Sequence, residues 1–147
     1  MENDKRMVMK TDFSIASEMK NLAIVRQKVD DVASECGFTE ADIYQMKVAV
    51  SEAVANAIEH GSPNGPKSIV HVYIECDSQR TVIEVLDQGV FKARLPVANG
   101  RPSHRGRGIF LMTALMDEVN ISEKPNGTLV RLVKLKEPAI EQKQAMR

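Results

Sequence analysis

Glu52 and Asn56 stand four residues apart in the stretch "SEAVANAIEHG" (51–61), a spacing that sets a carboxylate and an amide one helical turn apart. At ~100° per residue, Glu52, Asn56 and Glu59 share one stripe of a helix, with His60 a little further round. The ordinary explanation of such a stripe is a solvated face. Here the surroundings, "KVAVSEAVANAIEHG", are alanine-rich and otherwise nearly uncharged, so the polar positions interrupt a surface suited to close packing.

Three further stretches carry potential chemistry. In "VLDQG" (85–89), Asp87 ends an apolar run and precedes Gly89. The pair can simply start a turn, or Asp87 can accept a hydrogen bond from an exocyclic amine while Gly89 lets a flat ring approach the backbone. In "RGRGIFLM" (105–112), Gly106 and Gly108 are read as lying just before a helix, where free N–H groups and the positive end of the macrodipole favour an anion. Arg105 and Arg107 add charge-assisted donors, which points to phosphate. "NGT" (126–128) reads by itself as a hairpin turn.

The elements that must position these residues follow from periodicity. A strand is expected over 7–17, then a helix from about Ser17 to Glu35 with Leu22, Val25, Val29 and Val32 on one side and Gly37 as its stop. A second helix has Thr39 as its cap, Asp42 three residues on, and Gly61 at its end; its buried stripe is Ile43, Met46, Val50, Ala53 and Ala57. A loop over 62–67 leads to two strands, "SIVHVYIEC" and "TVIEVLD", joined as a hairpin across "DSQR". Residues 88–108 read as a long, mobile loop, followed by a helix over 108–119 and two strands around "PNG". The grouping of strands as hairpins predicts an α+β fold: a two-layer α/β sandwich with a mixed, mostly antiparallel sheet and helices on one face. One domain is expected over 1–136, with a polar tail over 137–147 that is frayed helix or disordered.

Composition narrows the functions. A chain of 147 residues, 43% hydrophobic and 27% charged, suits one ordinary globular core. Twenty basic residues balance twenty acidic ones, so no global field draws the protein to nucleic acid or to an anionic membrane. The start "MENDKRMVMK" lacks the apolar run of a signal peptide, and the expected location is cytoplasmic. Cys36 and Cys76 have no ligand spacing for zinc; in a reducing compartment they are expected to be packing residues rather than a disulfide.

Taken in order, Glu-x-x-x-Asn on a helix, Asp-x-Gly after a strand, Gly-x-Gly at a helix and Gly-Thr in a hairpin resemble the four nucleotide-binding boxes of the ATPase superfamily of gyrase, Hsp90, sensor histidine kinases and MutL. Within it, "AVSEAVANAIEHG" and "GRGIFLMTALMDEV" look most like the small bacterial anti-sigma factors that are also serine-protein kinases; the resemblance covers about residues 7 to 136. It implies ATP and Mg2+ as cofactors, Glu52 as general base and Asn56 as magnesium ligand. It makes Asp87 the reader of the adenine amine, with Thr128 supplying the hydroxyl beside it. Gly89, Gly106 and Gly108 match the glycines that shape the pocket and lid, and Ile109 is counted with the nucleotide-binding residues. Arg105 is the nearest match to an arginine that some members place near the phosphates or at the partner interface, and Arg107 belongs to the same box. The chain departs from the pattern at "DQGVFKA", where Val90 and Phe91 stand instead of a second glycine.

By resemblance the partners are a sigma factor and an anti-anti-sigma factor of the STAS-domain type, the latter phosphorylated on serine, and the assembly is a homodimer. Two alternatives stay open: a switch kinase acting on a phosphatase pathway, and a non-catalytic, ATP-gated binding module. Glu52 weighs against the module, because nucleotide binding alone needs no general base.

Overall fold

The computed structural model of the chain describes residues 7–89, 97–98, 101–102 and 104–136, with side chains described over 7–89 and 107–136. Alternating exposure along Met9–Ala16 marks strand β1, which runs antiparallel to β2 (Ile69–Cys76) with Met9 opposite Cys76 and Ala16 opposite Ile69. Between them the chain makes two 3-10 turns (Met19–Asn21 and Gly65–Lys67) and two helices, α1 (Leu22–Glu35) and α2 (Glu40–His60). The β2–β3 hairpin (β3, Arg80–Leu86) turns across 77–79, where the Asp77 carboxylate accepts from the backbone N–H groups of Gln79 and Arg80. After β3 come the two-residue strands β4 (Val97–Ala98) and β5 (Arg101–Pro102), which pair with each other, then α3 (His104–Leu115), β6 (Glu118–Lys124) and β7 (Gly127–Leu135).

The main sheet has the order β1-β2-β3-β7-β6, and each of its pairings is antiparallel. One face of it carries Ile15, Val70, Val72, Ile74, Ile83, Val85 and Leu132, all buried in the core with α1 and α2. This is the expected α+β sandwich with its helices on one face. The opposite face mixes apolar side chains such as Val82, Leu86, Val133 and Leu135 with polar contacts: His71 meets Ser14 and Asp12 across the β1–β2 ladder, and Arg131 pairs with Glu84 and Glu118 across β3, β7 and β6.

Helix α2 is the centre of the helical layer, touching α1 on one side, α3 on the other and strands β2, β3 and β7 beneath. The predicted stripe Ile43, Met46, Val50, Ala53 and Ala57 is buried, joined by Ala49 and Val54. Alanines at 49, 53 and 57 keep its surface low, which lets neighbouring elements approach. Its start is capped as expected, with Thr39 Oγ1 accepting from the Asp42 backbone N–H at 3.1 Å. Lys47 donates to Asp30 at 2.8 Å, tying α2 to α1, and this bond holds the Asp30 carboxyl below its ordinary range.

Three expectations are corrected. Cys36 and Cys76 form a disulfide, with their Cα atoms 6.3 Å apart. The C-terminal end of α1 lies over the far end of β2, a proximity across 40 residues of sequence that cysteine spacing could not reveal. Helix α3 begins at His104, four residues before its expected start, so Gly106 and Gly108 lie inside its first turns rather than ahead of it. The stretch 88–108, expected to be all loop, holds β4, β5 and the start of α3; residues 90–96, 99–100 and 103 of it fall outside the described residues, as does the predicted tail 137–147.

Candidate functional site

Glu52 and Asn56 are both partly buried on α2, one turn apart, while Glu59 and His60 are exposed at the end of the helix. What covers the first pair is α3, which crosses α2 with Gly108 at the contact. A Cβ at position 108 would stand 2.9 Å from Glu52 Oε1, 3.4 Å from Asn56 Nδ2 and 3.8 Å from Asn56 Oδ1. The polar stripe therefore faces a bare stretch of backbone, not bulk solvent, and the missing side chain is what allows it. Gly108 itself is buried, and Met112, one turn on, enters the core.

Gly108→Ala tests this contact. The atom in the way is the tip of a flexible side chain, so the helix can stay and Glu52 must move. We expect a melting temperature within about 2 °C of the parent by thermal denaturation, and a loss of roughly 100-fold in the rate of any reaction that uses the Glu52 carboxylate, the cost of displacing a reacting group by about 1 Å. An unchanged rate would show that the carboxylate's position against α3 is immaterial.

The second cluster is built around Asp87, only 7% exposed, at the carboxyl end of β3. Its Oδ1 accepts from the backbone N–H of Gly89 at 3.0 Å and of Thr128 at 3.0 Å, and its own N–H donates to the Thr128 carbonyl at 3.0 Å. The carboxylate is thus gripped by the turn that follows β3 and by the start of β7, so two strand ends fix its direction. Thr128 is buried beside it. Two residues to which the sequence assigned only structural duties complete the wall. A Cβ on Gly127, the hairpin glycine, would lie 1.8 Å from the Asp87 carbonyl oxygen, and one on Gly61, the last residue of the α2 cap, would lie 2.1 Å from Asp87 Oδ2. The turn glycine and the cap glycine also make room for Asp87; only tertiary contact shows the second role.

The loop after α2 is locked in turn. Gln88 donates its N–H to the Gly61 carbonyl at 3.2 Å and accepts from the Ile69 N–H at 2.9 Å through Oε1, while Ser62 Oγ bonds the Ala57 carbonyl at 2.9 Å and Ser17 Oγ at 2.7 Å. Asp87, packed against Gly61, and the Glu52–Asn56 pair are therefore both set along the C-terminal half of α2, Glu52 lying nine residues, roughly 13 Å of helix, before Gly61. Ile109 is partly buried against the core and Arg107 is exposed on α3. Arg105 and Gly106 lie in the first turn of α3, with the Arg105 side chain outside the described part.

No group of three or more His, Cys, Asp or Glu able to hold a metal occurs among the described residues. The amide oxygen of Asn56 near Gly108 is one hard donor, which suits an ion that keeps several waters and takes the rest of its shell from a ligand's oxygens, as Mg2+ does.

The profile of the family described as "Histidine kinase-like ATPase domain" matches residues 15–134. The anti-sigma F factor of Anoxybacillus flavithermus is 34% identical over 137 residues, covering 88% of this chain and 92% of that protein. The serine-protein kinase RsbW of Bacillus velezensis is 33% identical over 134 residues, covering 84% of this chain and 83% of that protein. Among solved structures, the RsbU and RsbW domains of a Mycobacterium tuberculosis protein superpose with a TM-score of 0.65 at 22% identity, over 89% of this chain and 33% of that one, a likeness of fold. With its helical layer, its antiparallel sheet and its paired polar clusters on α2 and β3, the chain belongs to the histidine kinase-like ATPase domain family, alongside anti-sigma F factors and RsbW serine-protein kinases.

Proposed function

We propose that the protein is an ATP-dependent serine-protein kinase and anti-sigma factor, cytoplasmic, that binds a sigma factor and phosphorylates an anti-anti-sigma protein on serine. The observation that carries the reading is the seating of Glu52 and Asn56 together under Gly108, a carboxylate and an amide oxygen converging where α3 begins. Asp87, its Oδ1 tied by two backbone N–H groups, is the group that recognises the adenine amine, with Thr128 beside it. Asn56 is the side chain that would hold Mg2+, which when bound neutralises phosphate charge.

Glu52 then has the one task the rest of the pocket leaves open. It accepts the proton of the incoming serine hydroxyl as the oxygen attacks the γ-phosphorus, and ADP leaves in line. The start of α3, from Arg105 through Gly106 and Arg107 to Gly108, is the phosphate end of the pocket, where a helix N-terminus and the positive charge of Arg107 favour a negative ligand. Gly89 and Ile109 line the nucleotide between the two ends.

Incubation with Mg-ATP and an anti-anti-sigma protein, followed by mass spectrometry, tests the reading: we expect a single phosphoserine on the partner and co-elution of a sigma factor with the kinase. Tight ATP binding with no transfer to any such partner would leave the chain a nucleotide-gated binding module.

A further inference from the structure

Nothing in the nucleotide pocket uses Cys36 or Cys76, yet their bond joins the two layers of the fold. Cys36 caps the C-terminus of α1, is followed by Gly37 in the left-handed region at φ 84°, and stands three residues before the Thr39 cap of α2. Cys76 ends β2, four residues before β3 begins. The bond therefore ties the end of α1 to the end of β2, just before the chain enters α2 and β3, the elements that carry Asn56 and Asp87.

We propose that Cys36–Cys76 is a reversible redox staple that sets the stability of the corner between α1 and α2. Both oxidation states fit the site. Cys76 is 1% exposed and its sulfur lies 3.2 Å from the Val32 carbonyl oxygen, so the thiol released by reduction finds an acceptor already in place. Cys36 is partly exposed, which makes its sulfur the one an outside thiolate can reach. Lys136 donates to the Cys36 carbonyl at 2.5 Å and stands 5.0 Å from the Phe38 ring, placing a cation on the same turn, an environment that favours a thiolate.

The exchange balances with a low-molecular-weight thiol such as glutathione. A glutathione thiolate attacks Cys36 Sγ, the S–S bond breaks, and Cys76 leaves and takes a proton. A second glutathione thiolate then attacks the glutathione sulfur of the mixed disulfide, releasing the Cys36 thiolate, which is protonated. Two glutathione thiols become one glutathione disulfide as the protein gains two protons and two electrons; oxidation runs the same steps backwards.

The full-length protein is equilibrated in glutathione buffers from fully reduced to fully oxidised, then alkylated and weighed intact. We expect two free thiols at one extreme, none at the other, recovery in both directions, and the mass of a single chain in every buffer. Reduction should lower the melting temperature by about 5–10 °C, the loss expected when a 40-residue cross-link is opened. Amide exchange over residues 33–43 should quicken roughly tenfold. Cys36→Ser should melt at one temperature in every buffer, and so should Cys76→Val, which keeps the buried volume. Two free thiols in all buffers, or equal melting of the oxidised and reduced parent, would overturn the proposal whatever the variants do, and neither measurement depends on ATP or on kinase activity.

Discussion

Glu52→Gln should bind ATP with the parent's affinity and transfer phosphate 10²–10⁴-fold more slowly, the range by which a positioned general base accelerates proton transfer. The amide fills the same volume against Gly108 and keeps an oxygen near Asn56, so the fold and the phosphate end of the pocket persist. What it lacks is basicity. Nucleotide titration by fluorescence and a timed phosphoserine assay on the partner separate the two quantities. Transfer at the parent's rate would remove Glu52 from the chemistry and send the search for the base elsewhere. A loss of affinity equal to the loss of rate would make it a binding residue instead.

Asp87→Asn and Asp87→Ala separate recognition from architecture beside the C-terminal end of α2. Asparagine can still accept from Gly89 and Thr128 through its one oxygen, but it offers an amine where the carboxylate has Oδ2. We expect a folded protein that binds ATP roughly 10–100-fold more weakly, the worth of a charge-assisted hydrogen bond. Alanine strands both backbone N–H groups in a site that is 7% exposed in the parent. At about 1–3 kcal/mol for each buried donor left unpaired, it should lose about 2–5 kcal/mol of stability besides its nucleotide. Calorimetric binding and chemical denaturation of the two variants decide it. Parent-like affinity in the asparagine variant would show that Asp87 is a strand-end clamp and not a reader of the base.

The two variants should differ because Oδ1 serves the fold, while the proposed reading gives the rest of the carboxylate to the ligand. Shared duty of this kind explains the cluster's composition. Gly61 and Gly127 are small because Asp87 occupies the space a side chain would need, and a turn or a helix cap at those positions would otherwise accept asparagine.

Much of this protein was legible in its sequence because the signals are local. The Thr39 cap, the buried stripe from Ile43 to Ala57 and the β2–β3 hairpin follow from hydrogen bonding and periodicity within a few residues. Order along the chain was informative too: four weak motifs, each ordinary alone, named a family because they recur in one sequence order. Tertiary structure decided what depends on contact between segments far apart. It ordered the strands β1-β2-β3-β7-β6, inserting β7 between β3 and β6. It started α3 at His104, placing Gly108 against Glu52 and Asn56 rather than ahead of the helix, where a local pattern of glycines and arginines had suggested a loop. It gave Gly61 and Gly127 a second role and brought Cys36 to Cys76. Periodicity reports which side of an element is apolar; it carries no information on which other element will cover that side, and that covering makes both the pocket and the disulfide.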